Sequence, residues 1–519
     1  MADFIELIDL AAERLGGSVL WATDDFFAEK ENLLKPQEAV FIEGKYTDRG
    51  KWMDGWESRR KRQYAESTRA YPEHDSCIIR LGLSGVVRGF VVDTAHFKGN
   101  YPKACSIEGA SIDGHPDVAE LLSSDVRWTE ILPRSELAGD SKNRFEIDVP
   151  ERFTHLRFNI YPDGGVARLR VHGDVMPGAR WAGRRDRPQL VDLAAAEHGG
   201  LVVACNDMFF GSRHNLIMPG RGVNMGDGWE TKRSRRPGPD WVVVRLATEG
   251  AIERAIVDTL HFKGNAPDAC ALDVATSPGG DPDGAKDDGW RPLLAKTSLQ
   301  PHTSHVFEDA LLAAGDATHA RLRIWPDGGV SRLRLLGVAS EAGRERSGMR
   351  YVRAMPEPEL EAALLACCGS RAWVRAMVAE RRANAASFAS LDALKEAAAD
   401  RWSALAAADW DEAFAAHPRI GEKKADGPQG EVARAWSAKE QARVEGASRA
   451  ALDELREVNE AYEARFGRIY IVCATGKSAE EMLAIAKERM TADPESELRR
   501  AAEEQRKITE LRLEKMVKG

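Results

Sequence analysis

The chain is 519 residues long, 43% hydrophobic and 30% charged, with a formal net charge of −9 and a pI near 5.9. That length predicts two to four domains of ordinary globular composition. The acidic balance, with no basic tract, excludes a nucleic-acid partner held by bulk charge, and no run of about 18 apolar residues is present to span a membrane. The seven cysteines are odd in number and show no C-x-x-C spacing, which predicts reduced thiols in the cytoplasm rather than a disulfide scaffold or a zinc site.

The opening MADFIELIDLAAERLGG lacks a basic start and a long apolar core, so it reads as an amphipathic helix over 4–15 rather than a signal peptide. Beyond it the sequence is written twice. DDFFAEKENLL (24–34) returns as DMFFGSRHNLI (207–217), and DGWESRRKR (54–62) as DGWETKRSR (227–235). DTAHFKGN (93–100) returns as DTLHFKGN (258–265), and THLRFNIYPDGGVARLR (154–170) as THARLRIWPDGGVSRLR (318–334). The motif order is the same in both copies, so a whole domain is duplicated, with a helix expected before the second copy at 188–197. Each copy has short β-branched runs broken by Gly and Ser, and a Pro-Asp-Gly-Gly turn between two strands, which predicts a β-sandwich or jelly roll. After about residue 340 the composition changes. A linker is expected at 341–355, and 356–519 is Ala-rich with apolar residues at three- and four-residue spacing, hence all-α. RIYIVCATGKS (468–478) is the one extended run in that part.

Chemistry in the duplicated half gathers at strand ends. His96, Lys98 and Asn100 recur as His261, Lys263 and Asn265, and if the strand continues His96 and Lys98 share a face. DGWE adds Glu57 and Glu230, with Arg59, Arg60, Lys232 and Arg233 close behind. These offer a proton carrier, a carboxylate and cations for an anionic ligand. The same letters also suit turns, a core Trp and a closed hairpin, and a carbohydrate-binding jelly roll fits equally well.

The ordered set D-x-FF, NL[LI], DGWE[ST], DTxHFKGN and [YW]PDGGVxRLR, present twice, resembles allantoicase over roughly 1–340. The resemblance implies two tandem jelly-roll sandwich repeats of galactose-binding-like fold, 1–175 and 180–340, that split allantoate into (S)-ureidoglycolate and urea. It suggests His96 or His261 as proton carrier, Glu57 or Glu230 as its partner, and Arg59, Lys98, Lys263, Asn100 and Asn265 as substrate contacts. Where that family has His-Asp-Trp, this chain has His74-Asp75-Ser76 in one copy and Pro239-Asp240-Trp241 in the other; a functional histidine there favours the first copy, a structural one at the strand entrance favours neither, and which copy works is left open. A divalent metal is likewise open, since no H-x-x-x-H spacing demands one. The rival is a non-catalytic ureide- or sugar-binding module, with the helical part as the only enzyme.

In the helical part, His417 sits at a helix break before Pro418, and Ser437-Ala-Lys-Glu440 has the form of a capping box. HPRIGE, SxxEQ, NxxYxxxFG, IxIVxATGK and KITELRL, in that order over 356–519, resemble the OHCU decarboxylase family. Its members convert 2-oxo-4-hydroxy-4-carboxy-5-ureidoimidazoline to (S)-allantoin without a cofactor. By position the resemblance makes His417 and Glu440 catalytic, and Pro418, Ser437, Gln441, Ile471 and Arg512 substrate-binding. The partners expected are small ureides, with a homo-oligomer left open.

Overall fold

The computed structural model describes residues 3–61, 73–112, 114–177, 190–234, 237–417, 436 and 449–518. The chain divides into two compact units, Met1–Arg344 and Glu345–Gly519.

Each repeat of the first unit is built on one strand of 19 residues, Asp75–Asp93 or Asp240–Asp258. In the first repeat its leading half pairs with Ser18–Ala22 and Arg152–Tyr161, and its trailing half with Lys142–Glu146 and Arg168–Val175. Ala104–Ala110 and Thr129–Glu136 extend the sheet, and every pairing is antiparallel. The second repeat follows the same order with Leu201–Cys205, Ala317–Trp325, Ser304–Phe307, Arg332–Ala339, Ala269–Ala275 and Arg291–Ser298. Because the strand changes partners midway, both layers of each sandwich wrap one core, in which Trp56 and Trp229 are fully buried, while Phe97 packs in a smaller cluster with Ala28, Met53 and Ala167. The DGWE run forms a two-residue strand against the PDGG turn, pairing Glu57 with Gly165 and Glu230 with Gly329. Only glycine fits there: a Cβ on Gly165 or Gly329 would sit 2.0 Å from the ring of Phe97 or Phe262.

The helix expected over 4–15 does not form. Ile8–Asp9 is instead an edge strand on Arg168–Val175, between short 3₁₀ turns at Phe4–Glu6 and Glu13–Leu15. The Asp9 carboxylate accepts from the backbone N–H of Ala11 and Val171, an option that competes with helix. Asp192 does the same at the second repeat, where residues 188–189 of the expected helix lie outside the described residues, Val191–Asp192 is a strand and, among the described residues, Ala196–His198 forms a 3₁₀ turn. The repeats also brace each other. Arg14 donates to Asn215 at 2.9 Å, Arg213 pairs with Glu6, and the Asn215 amide donates to the Gly228 carbonyl in the DGWE turn at 3.0 Å.

The expected linker is a helix, Glu341–Ala354, started by the Ser340 hydroxyl accepting from the Gly343 N–H at 2.9 Å. Helices Glu357–Cys367, Arg371–Ala383, Leu391–Ser403, Ala407–Ala415, Arg449–Phe466, Ala479–Arg489 and Pro494–Lys518 follow. Leu364, Trp373, Leu394, Phe414 and Leu513 form the centre of the core of this unit. Residues 469–474 run without regular secondary structure, and a buried ion pair on neighbouring helices holds them. Arg489 bonds Glu497 at 2.5–2.7 Å and donates to the Ile471 carbonyl at 2.7 Å, while the Tyr462 hydroxyl also donates to Glu497. No helix among the described residues is long and apolar enough to cross a membrane.

Candidate functional site

In the first unit the long strand stops at Asp93 or Asp258, and the chain turns sharply. His96 and His261 take left-handed backbone angles, φ 69° and 74°. His96 and Lys98 therefore do not share a strand face. The His96 N–H donates to Asp140 at 2.8 Å, and its Nε2 lies 3.1 Å from the Ala39 carbonyl. His261 repeats this, its N–H donating to His302 and its Nε2 lying 2.8 Å from the Gly222 carbonyl. Both imidazoles thus tie one loop to another. Lys98 is exposed, 3.8 Å from Asp140, and Lys263 is exposed. Arg59 pairs with Asp24 at 2.7 Å and lies over the Phe26 ring.

Two sequence-distant motifs do meet. The Asn100 amide donates to the Glu57 carboxylate at 2.7 Å, and Asn265 donates to Glu230 at 2.5 Å. Burial raises the Glu57 pKa above the ordinary carboxylate value, against the pull of Asn100 and Arg60. A half-buried carboxyl with a raised pKa suits a proton donor.

The start of the long strand carries a second polar group in each repeat. Asp75 accepts from the Thr23 hydroxyl at 2.8 Å and lies 3.2 Å from the Lys61 ammonium. His74 stands beside it, its ring 5.0 Å from that of Tyr161, with its pKa lowered by burial and by the Lys61 and Arg157 cations. Asp240 accepts from Asn206 at 2.7 Å and lines an open cleft of about 430 Å³. Motif reading at the sequence level passed over Lys61, Asn206 and Tyr161. The signal was there in the alternation of DGWESRRK with DGWETKRS, which exchanges a cation for a hydroxyl at one position.

In the second unit His417 ends the turn after Ala407–Ala415 and is 8% exposed. Gln505, Thr509 and Arg512 lie along one face of Pro494–Lys518, all buried. Burial drives the His417 pKa down to about 3, Arg512 adds to the effect, and Gln505 opposes it. Among the described residues, His417 Nε2 and Gln505 Oε1 have no hydrogen-bond partner. A neutral imidazole beside a buried guanidinium is ready for an anionic substrate with N–H and carbonyl groups. Ile471 is buried, and its carbonyl is committed to Arg489. Pro418, Ser437, Glu440 and Gln441 lie outside the described residues.

Residues 8–176 and 191–340 match the model of the allantoicase repeat. The chain belongs to the allantoicase family. Residues 353–514 match a second family model, that of OHCU decarboxylase. A probable allantoicase of Burkholderia mallei is 50% identical over 333 residues, 64% of this chain and 94% of that protein. A probable allantoicase of Pseudomonas syringae pv. syringae is 48% identical over 339 residues, 65% of this chain and 97% of its own length. The crystal structure of Saccharomyces cerevisiae allantoicase superposes with a TM-score of 0.53 at 35% identity, covering 64% of this chain and 92% of that one. The family match spans both sandwiches, so the duplication belongs to the allantoicase part, and the helical unit is fused to it. Among the described residues, no three His, Cys, Asp or Glu side chains converge as a metal site would require.

Proposed function

We propose that this chain carries two activities of ureide breakdown: the sandwich unit hydrolyses allantoate to (S)-ureidoglycolate and urea, and the helical unit decarboxylates OHCU to (S)-allantoin. The observation that supports this best is the union, in one chain, of both allantoicase repeats with an OHCU decarboxylase domain in which buried His417 lies within electrostatic reach of buried Arg512. Allantoate is a carboxylate whose neighbouring carbon bears two ureido groups. Expelling urea requires a proton on the departing nitrogen, help from the lone pair of the remaining one, and a water guided to the carbon. Glu57 or Glu230, each oriented by its asparagine, supplies the proton. In the helical unit, loss of CO2 leaves an electron pair that the imidazoline ring must absorb. Arg512 anchors the substrate anion, and neutral His417 exchanges the proton on one ring face. A bound carboxylate beside Arg512 cancels the charge that helps depress His417, so the imidazole becomes more basic when substrate is present.

No cofactor is required of the helical unit in this scheme, and the metal requirement of the sandwich unit is settled by urea release with and without chelator. Seven free cysteines, six of them buried, support a reducing cytoplasm as the compartment. The product of the helical unit is a closed ring, so a ring-opening hydrolase must act before the sandwich unit can use it. The test is direct. The full chain should release urea from allantoate and CO2 from OHCU. His417→Ala should abolish only the second reaction, and Glu57→Gln or Glu230→Gln only the first. A chain with neither activity refutes the proposal.

A further inference from the structure

The two repeats differ at one spot in a way that bears on which of them binds substrate. In the first, both cations that end DGWESRRK are tied into the fold. Arg60 donates to Asp163 at 3.2 Å and to the Gly99 carbonyl at 3.0 Å, and the Lys61 ammonium lies 3.2 Å from Asp75. In the second, Arg233 and Ser234 stand at these positions. Asp327, the counterpart of Asp163, accepts from the Ser234 backbone N–H at 2.8 Å, and Arg233 makes no ion pair with it. Arg233 is exposed and has no polar partner among the described residues. Asp240, the counterpart of Asp75, is 8% exposed, with one oxygen accepting from Asn206. Its other oxygen, Oδ2, is buried and has no partner among the described residues, as is also true of Asp75 Oδ2; the repeats differ in that Lys61 reaches Asp75 through Oδ1, whereas no described cation pairs with Asp240. Where the first repeat has a lysine side chain, the second has the cleft of about 430 Å³, a volume within the ~300–1,000 Å³ range of small-molecule sites.

A buried carboxylate with no cation beside it among the described residues is costly, and it is tolerated where a ligand supplies the missing donor. Lys61 reaches Oδ1 of Asp75, the atom that Asn206 holds in Asp240, so an N–H group entering from this side comes up beside an aspartate whose Oδ2 still lacks a donor. A ureido N–H does the same without a charge, and a free guanidinium at the rim matches a carboxylate. We propose that the cleft of the second repeat is the substrate pocket of the sandwich unit for a ureido carboxylate, with Arg233 holding the carboxylate and Asp240 a ureido N–H, while the first repeat has its equivalent pocket filled by Lys61. This rests on the ureide-hydrolase reading above. Glu230, in the same DGWETKRS run, is then the acid of the working repeat.

The test uses the full chain and allantoate. Ser234→Lys copies the first repeat and should raise KM for urea release about ten- to a hundredfold, with circular dichroism unchanged. Arg233→Gln should act in the same direction, and Lys61→Ser should leave KM at the wild-type value. Wild-type KM in both Ser234→Lys and Arg233→Gln overturns the assignment, and a raised KM in Arg60→Gln would move the site to the first repeat. A wild-type chain that releases no urea defeats the hydrolase reading alone. The pocket is then judged by calorimetric titration with allantoate: binding abolished by Ser234→Lys upholds it, and binding that is absent or unaffected overturns it.

Discussion

His417 shows how a single side chain can be legible in sequence as a position yet not as a state. The break before Pro418 and the HPRIGE motif marked it, but nothing in the letters said that it would be buried against Arg512 and held neutral. The consequence for pH is specific. An unfolded chain binds a proton at this imidazole below its ordinary value of 6.5, whereas the folded chain binds it only near 3. Between those values the unfolded state holds more protons, so stability falls as pH drops through that window and is unaffected above it. His417→Phe should flatten the pH dependence of the urea-denaturation midpoint of the helical unit between about pH 6 and 4. An unchanged slope would mean that the imidazole is not held neutral. His96 and His261 teach the opposite lesson. Their motif announced chemistry, but their ring nitrogens are engaged by backbone carbonyls, and the acid that meets a partner from the same motif is Glu57 or Glu230.

At the level of elements, alternation and turn residues predicted the sandwich because β-branched runs and the PDGG turn leave few other options. Helical periodicity over 4–15 misled because Asp9 satisfies two backbone N–H groups from its side chain and docks the segment as an edge strand. The stretch 341–355 looked like a linker by composition, yet the Ser340 cap and its run of helix-tolerant residues suffice for a helix. RIYIVCATGKS was legible as a break between helices, though it forms no strand, and what holds it was not legible. Arg489 and Glu497 come from separate helices, and their meeting is a tertiary fact. This pair is buried at 4% and 0% side-chain exposure, so losing one partner strands the other charge. Glu497→Ala should destabilise the helical unit by about 3–5 kcal/mol in chemical denaturation. It should also slow decarboxylation through loosening of Ile471, whereas a loss below about 1 kcal/mol would show that water reaches the pair.

For the whole molecule, the division into Met1–Arg344 and Glu345–Gly519 predicts that pieces 1–344 and 345–519, made separately, each keep their own reaction. Loss of both activities in the pieces would refute that modularity. The same logic fails inside the sandwich unit. Arg14 reaches across to Asn215, which in turn fastens the second DGWE turn, and Glu6 reaches across to Arg213. A cut between the two sandwiches would strip each half of charged neighbours that it cannot replace from its own chain. The duplicated sequence should therefore melt as one block, and a calorimetric scan of the sandwich unit that resolved two transitions would refute this.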